Sequence, residues 1–220
     1  MKLRWYISRI VLILLCMLPL PSGAHAAAGV CPLADQQAAM HASARGDVAS
    51  YADAPMYQIV GSVNPDKRTW QATQTITFWN QSGGSLSKLY FRLLANLPDV
   101  GGSLVLNSAR VNGTTVSVKY EANRYLARLD LATALPINSL VTVVLSFVTT
   151  AANNGGEDVF GTLNSDGQTI ALAMAYPLLA NTTNGVWDTA VPDTTGDIIT
   201  SPVAWYDVTL TTPRSYTVVS

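Results

Sequence analysis

The chain has 220 residues, with 13 basic and 14 acidic side chains and a formal net charge of −1. The basic residues are scattered rather than gathered into a stripe, so nothing is present to neutralise a row of phosphates, which excludes nucleic acid as a partner. Charged residues make up 12%, about half the usual share; Thr, Ser and Asn supply the polar surface instead, as suits an extracellular β-protein.

Residues 1–26 read as an export signal. Lys2, Arg4 and Arg9 form a basic start, residues 10–18 an unbroken apolar run, and Ala24, His25 and Ala26 a small-x-small cleavage site. Nine apolar residues are too few for a bilayer core that needs about 20. Cleavage after Ala26 is expected, with a secreted or cell-surface product and no stable membrane span. That product keeps Cys31 as its one cysteine, so no internal disulfide is available and stability must come from packing. Cys31 lies near the new N-terminus, but Val30 stands where lipoprotein signals have a small residue, against lipidation.

Residues 27–56 form an Ala-rich leader, with Asp35 as N-cap of a short helix expected to run to about Arg45, before Gly46 and Asp47 break it. From Tyr57 the period changes to two. Trp70, Ala72, Ile76 and Phe78 share a face interrupted by Gln74, while Thr69, Gln71, Thr73, Thr75 and Thr77 hold the other. Further strands carry Leu89, Phe91 and Leu93; then Val116, Val118 and Tyr120; then Tyr125, Ala127, Leu129 and Leu131; then Val141, Val143, Leu145 and Phe147. Turn residues separate the runs at Asn64-Pro65-Asp66, Ser82-Gly83-Gly84 and Asn154-Gly155-Gly156, and Asn112-Gly113 is a strong two-residue hairpin signal. The pattern predicts an all-β, antiparallel sandwich of about eight to ten strands over residues 57–220. Its expected core includes Trp70, Ile76, Phe78, Phe91, Leu129, Val143 and Phe147. No helix-periodic stretch separates the strands, which disfavours a parallel sheet.

Residues 176–202 read as a long ordered loop anchored by Trp187 and Val191. Ala204, Tyr206, Val208 and Leu210 then share a strand face, a turn follows at Thr212, Pro213 and Arg214, and residues 216–219 read as the start of one more strand. The domain is therefore expected to be incomplete at its C-terminal edge.

Catalytic chemistry finds little support. A hydrolytic zinc site needs two histidines one helical turn apart, as in H-E-x-x-H, but the chain has only His25, in the signal, and His41, in the leader. A Ser or Cys nucleophile needs an adjacent base, and no histidine falls within the sandwich. Glu157, Asp158, Asp193 and Asp197 sit in Gly- or Pro-rich segments where carboxylates serve turns. Asp188, Asp193 and Asp197 lack the alternate-residue spacing of a calcium loop. N-x-S/T sequons occur at Asn80, Asn112 and Asn181. Trp70 belongs to the core pattern, whereas Trp79 and Trp205 fall on outward faces suited to an interface. With Trp187, these indoles also raise the alternative of a sugar-stacking platform.

Seven segments together resemble the N-terminal domain of aminopeptidase N-like zinc metallopeptidases of the gluzincin type, in a bacterial secreted form. They are YQIVGSVNPD at 57–66, ITFWN at 76–80, LYFRL at 89–93, AYPLL at 175–179, GVWD at 185–188, GD at 196–197 and YDVTLTTP at 206–213. The resemblance implies a saddle-like sandwich that packs on a thermolysin-like catalytic domain and forms a wall of its substrate cleft. That catalytic domain would begin beyond Ser220, would hold the zinc, and would be the only route to a peptide substrate; this chain itself would need no cofactor. Tyr176, Pro177, Trp187, Asp188, Gly196 and Asp197 are then the candidate cleft-wall or interdomain contacts. At 173–177 the chain reads AMAYP, where better-known members carry an amine-holding Gln, so the resemblance does not extend to that contact. The alternative is a free-standing extracellular binding or adhesion module.

Overall fold

A computed structural model describes residues 34–153, 162–192 and 201–219. Two sheets face each other across one hydrophobic core. The strands are β1 (Met56–Asn64), β2 (Thr69–Trp79), β3 (Leu86–Arg92), β4 (Ser103–Val111), β5 (Thr114–Val116), β6 (Val118–Glu121), β7 (Leu126–Leu135), β8 (Leu140–Thr150), β9 (Leu178–Leu179), β10 (Thr182–Thr183), β11 (Val186–Trp187) and β12 (Trp205–Thr211). The larger sheet runs β12-β1-β2-β8-β4-β5, the smaller β6-β7-β3-β9, and β10 and β11 form a separate small hairpin. No described helix is long and apolar enough to cross a membrane.

The period-two reading of the central strands holds. Trp70, Ile76, Phe78, Phe91, Leu129, Val143 and Phe147 are all buried, as are Val141 and Leu145. Burial alternates along β2 and β8, the two innermost strands of the larger sheet, because each is paired on both sides and offers one face to the opposite sheet. At Asn112-Gly113 the β4–β5 hairpin turns as expected, with φ of 47° and 81° and Val111 opposite Thr114. Gly61 in β1 is required by a close approach: a Cβ there would lie 2.6 Å from the Trp70 indole nitrogen and 2.5 Å from the Ala72 Cβ.

Several expectations are corrected. The leader helix ends at Ala39 rather than near Arg45, and two short 3₁₀ turns follow, Ala42–Ala44 and Asp47–Tyr51; six helical residues lack the length to propagate alone. The Asp35 side chain, Cys31 and the signal lie outside the described residues. Residues 116–120 are not one strand, since β5 pairs with β4 in the larger sheet and β6 with β7 in the smaller. The chain changes sheet at Ser117, and Val116 and Val118 keep the same parity because both inner faces point into one core. β4 escaped the periodicity because its register shifts between Leu106 and Ser108. That bulge moves the buried residues from Leu104 and Leu106 to Ala109 and Val111, breaking the alternation.

β12 pairs with β1 in parallel, from Met56 opposite Trp205 to Ser62 opposite Thr211, so the larger sheet is antiparallel except at this edge. A parallel pair needs a return connection of a dozen or more residues, not specifically a helix, and nearly the whole sandwich lies between β1 and β12. Residues 216–219 are not a strand. The Tyr216 N–H closes a turn on Pro213 O, and β-propensity without a partner ladder does not hold an extended segment.

The sequon at Asn80 is structural. Asn80 is 1% exposed, and its amide donates to the carbonyls of Gly84, Leu135 and Pro136 at 2.9, 3.0 and 3.0 Å. Its Oδ1 accepts from the Ser82 N–H and Oγ.

Candidate functional site

Between Ala175 and Asp188 the expected loop is a strap bound to the sandwich by polar contacts. The two polar residues on the inner face of the larger sheet reach it: Gln74, fully buried, donates to Pro177 O at 2.7 Å, and the Thr149 hydroxyl donates to Ala175 O. Gln74 therefore interrupts the apolar face of β2 because a carbonyl without a ladder partner passes beneath it. Leu179 N–H donates to the Tyr57 hydroxyl at 3.0 Å, and Ala180 N–H to Tyr90 O. β9 pairs with β3 through Leu178–Arg92 and Leu179–Phe91.

This strap explains why β3 is buried on both faces. Leu89, Phe91 and Leu93 face the core, while Tyr90 and Arg92 point outward yet are covered. The Trp187 ring lies 6.0 Å from that of Tyr90, and its Nε1 donates to Lys88 O. Arg92, 4% exposed, pairs with Asp188 Oδ2 at 2.5 Å and also donates to the Asp188 backbone carbonyl. Asp188 thus answers a buried guanidinium, a role visible only once the strap is laid across β3.

The candidate contacts separate in space. Pro177 is buried and Tyr176 half-buried, beside β1 and β12; Trp187 is half-buried and Asp188 exposed, beside β3. Gly196 and Asp197, like Asp193, Glu157, Asp158 and the turn at 154–156, lie outside the described residues. Val191, expected as an anchor beside Trp187, is instead 52% exposed, whereas Trp187 packs near Tyr90 and bonds to Lys88 O. Trp205 is half-buried, with its Nε1 donating to Tyr51 O, which ties the leader to β12.

Three tyrosines that sequence spacing did not connect form one cluster. Tyr57 stacks on Tyr206 with ring centroids 4.9 Å apart, and Tyr176 meets both rings edge-on at 6.1 and 5.7 Å. The hydroxyls of Tyr176 and Tyr206 are 3.2 Å apart. The Tyr57–Tyr206 register of the β1–β12 pair creates the stack. Burial pushes the Tyr57 hydroxyl well above the ordinary tyrosine range, and burial with the Tyr206 hydrogen bond does the same for Tyr176. Both groups are held neutral in the fold. Their contribution is fully present below the unfolded value of about 10 and is lost as pH rises above it. Chemical denaturation between pH 8 and 11.5 should show stability falling above about pH 10, and Tyr176→Phe should make that fall shallower; an unchanged slope would refute the assignment.

A catalytic zinc ion takes three protein ligands. His41 is exposed in the leader, and no group of three His, Cys, Asp or Glu side chains gathers among the described residues.

No family model matches the chain, and no curated protein matches it. Solved structures do. The M1 zinc metallopeptidase from Deinococcus radiodurans is 20% identical with a TM-score of 0.37, over 47% of this chain and 22% of that one. A variant of a two-domain M1 zinc metallopeptidase bound to L-arginine is 18% identical with a TM-score of 0.49, over 74% of this chain and 33% of that one. A further two-domain variant, bound to L-tryptophan, is 16% identical with a TM-score of 0.38, over 54% and 29% of the two chains. The chain thus spans a third or less of the length of these proteins, and the solved structures it is similar to are zinc metallopeptidases of the M1, aminopeptidase N-like kind, at low identity and partial coverage.

Proposed function

We propose that this chain is the non-catalytic N-terminal domain of a secreted, aminopeptidase N-like zinc metallopeptidase, which packs on a thermolysin-like catalytic domain and forms a wall of its substrate cleft. The observation that carries the reading is that segments far apart in sequence, which together bear the resemblance, meet in one region. β1, from the first segment, pairs with β12, from the last; β3 pairs with β9; and the Tyr57 hydroxyl binds the Leu179 N–H. Four of the segments that bear the resemblance thus lie in one packed region, which supports the reading.

Within this reading the docking surface centres on β12. Tyr206 and Val208 continue the inner face of the larger sheet beyond its cover and are exposed. Half-buried Tyr176 borders the same region. Zinc and peptide substrate belong to the catalytic domain.

The test has two parts. The purified chain, dialysed against metal-free buffer, should hold far less than stoichiometric zinc by mass spectrometry and should not hydrolyse aminoacyl p-nitroanilides. The gene beyond the Ser220 codon should continue in frame into an H-E-x-x-H helix. Stoichiometric zinc, chelator-sensitive turnover that follows the protein through two columns, or an immediate stop codon would each defeat the proposal.

A further inference from the structure

Two of the four tryptophans beyond the signal are committed to packing or tethering. Trp70 is buried edge-on against Phe147, and the Trp205 N–H is bonded to Tyr51 O. The other two, Trp79 at the end of β2 and Trp187 at the end of β11, line one cleft of about 430 Å³. That volume falls within the usual range for small-ligand clefts, about 300–1,000 Å³. Both indoles are partly exposed.

The cleft has fixed walls. One is the turn after β2, held by the Asn80 amide to Gly84, Leu135 and Pro136. The other is the β10–β11 hairpin, tied to that turn by Gly185 N–H to Ser82 O at 2.8 Å. Gly84 and Gly185 touch closely enough that a Cβ on Gly84 would lie 3.4 Å from the Gly185 Cα. Trp187 is further fixed by its bond to Lys88 O at 3.0 Å. With Asn80 and Ser82 consumed in building the wall, the lining side chains Gln81, Asn181, Thr182, Thr183 and Asp53 make no hydrogen bond among the described residues.

The chemistry of this lining is specific. Two amides and two hydroxyls both donate and accept, one carboxylate accepts, and no Lys or Arg is present. An anion would meet Asp53 with no compensating cation. An apolar ligand would leave the amides and hydroxyls desolvated without partners. An extended peptide has no ladder to join, since β10 and β11 have two residues each and already pair with one another. A neutral sugar satisfies all the groups: its C–H face stacks on an indole, and its hydroxyls exchange hydrogen bonds with amide, hydroxyl and carboxylate groups. We propose that the cleft between Trp79 and Trp187 is a binding site for a neutral saccharide.

The test is a titration of the purified chain, followed by tryptophan fluorescence and calorimetry, with cellohexaose, chitohexaose, maltohexaose, acidic hexagalacturonate and an uncharged hexapeptide. At least one neutral hexasaccharide should bind saturably at concentrations up to about 10 mM, and hexagalacturonate should bind more weakly. In the double variant Gln81→Ala, Asn181→Ala, whose side chains bond nothing among the described residues, affinity should fall at least about tenfold with the thermal midpoint unchanged. Trp79→Phe should diminish the fluorescence response. The proposal is overturned by the absence of saturable binding of any neutral hexasaccharide, by equal affinity in the double variant, or by preference for hexagalacturonate or the hexapeptide.

Discussion

Phe147→Ala is expected to lower the unfolding free energy by about 3–5 kcal/mol, read as a fall in the denaturant midpoint at constant slope. Phe147 is fully buried and packs edge-on against Trp70, with ring centroids 5.5 Å apart. Its strand, β8, lies between β2 and β4, with Ala72 on one side and Leu106 on the other. A cavity there has poor means of closing, because moving β8 inward would break two ladders at once. Phe147→Leu restores most of the volume and should cost less than about 1.5 kcal/mol. An unmoved midpoint for the alanine variant would mean that the inner face of the larger sheet is wrongly assigned.

Asn80→Ala should be comparably damaging, at about 3–5 kcal/mol, though it removes no apolar surface, because the two amide N–H groups shared among three carbonyls are lost and an unpaired buried polar group costs about 1–3 kcal/mol. The amide joins the turn after β2 to the end of β7 and the residue after it, at Leu135 and Pro136. Its loss therefore releases a link between the sheets as well as individual bonds. Asn80→Asp, which keeps the size but supplies no donor at neutral pH, should fare no better than alanine. Equilibrium urea unfolding of both variants decides the matter: a loss below about 1 kcal/mol for either would show that water replaces the amide at no penalty.

The candidate site was legible in part. Alternation along β2 and β8 exposed the core, since a half-buried strand must place apolar residues at every second position. The same rule failed at β4, where the bulge between Leu106 and Ser108 shifts the phase, and at residues 116–120, where one apolar face serves two strands in different sheets. Trp187 could be marked as an anchor because a large apolar ring in a polar segment must be covered. Its partners, Tyr90 and the Lys88 carbonyl, had no local signature. Asp188 resembled any turn carboxylate until Arg92, 96 residues away in the chain, was found beneath it.

By itself, then, the sequence determined the fold class, the inner faces of the central strands and the Asn112-Gly113 hairpin, because these depend on the side-chain period of two and on φ preferences that act over a few residues. Tertiary structure decided the rest. The parallel seating of β12 on β1, the tyrosine cluster it creates, the strap from Ala175 to Asp188 and the meeting of Trp79 with Trp187 all depend on which distant segments become neighbours. Part of that choice is visible in the requirement that the buried donors of Arg92, Gln74 and Thr149 find acceptors on the strap. No local pattern carries that requirement, because a hydrogen bond to a backbone carbonyl places no demand on the side chain of the residue that supplies it.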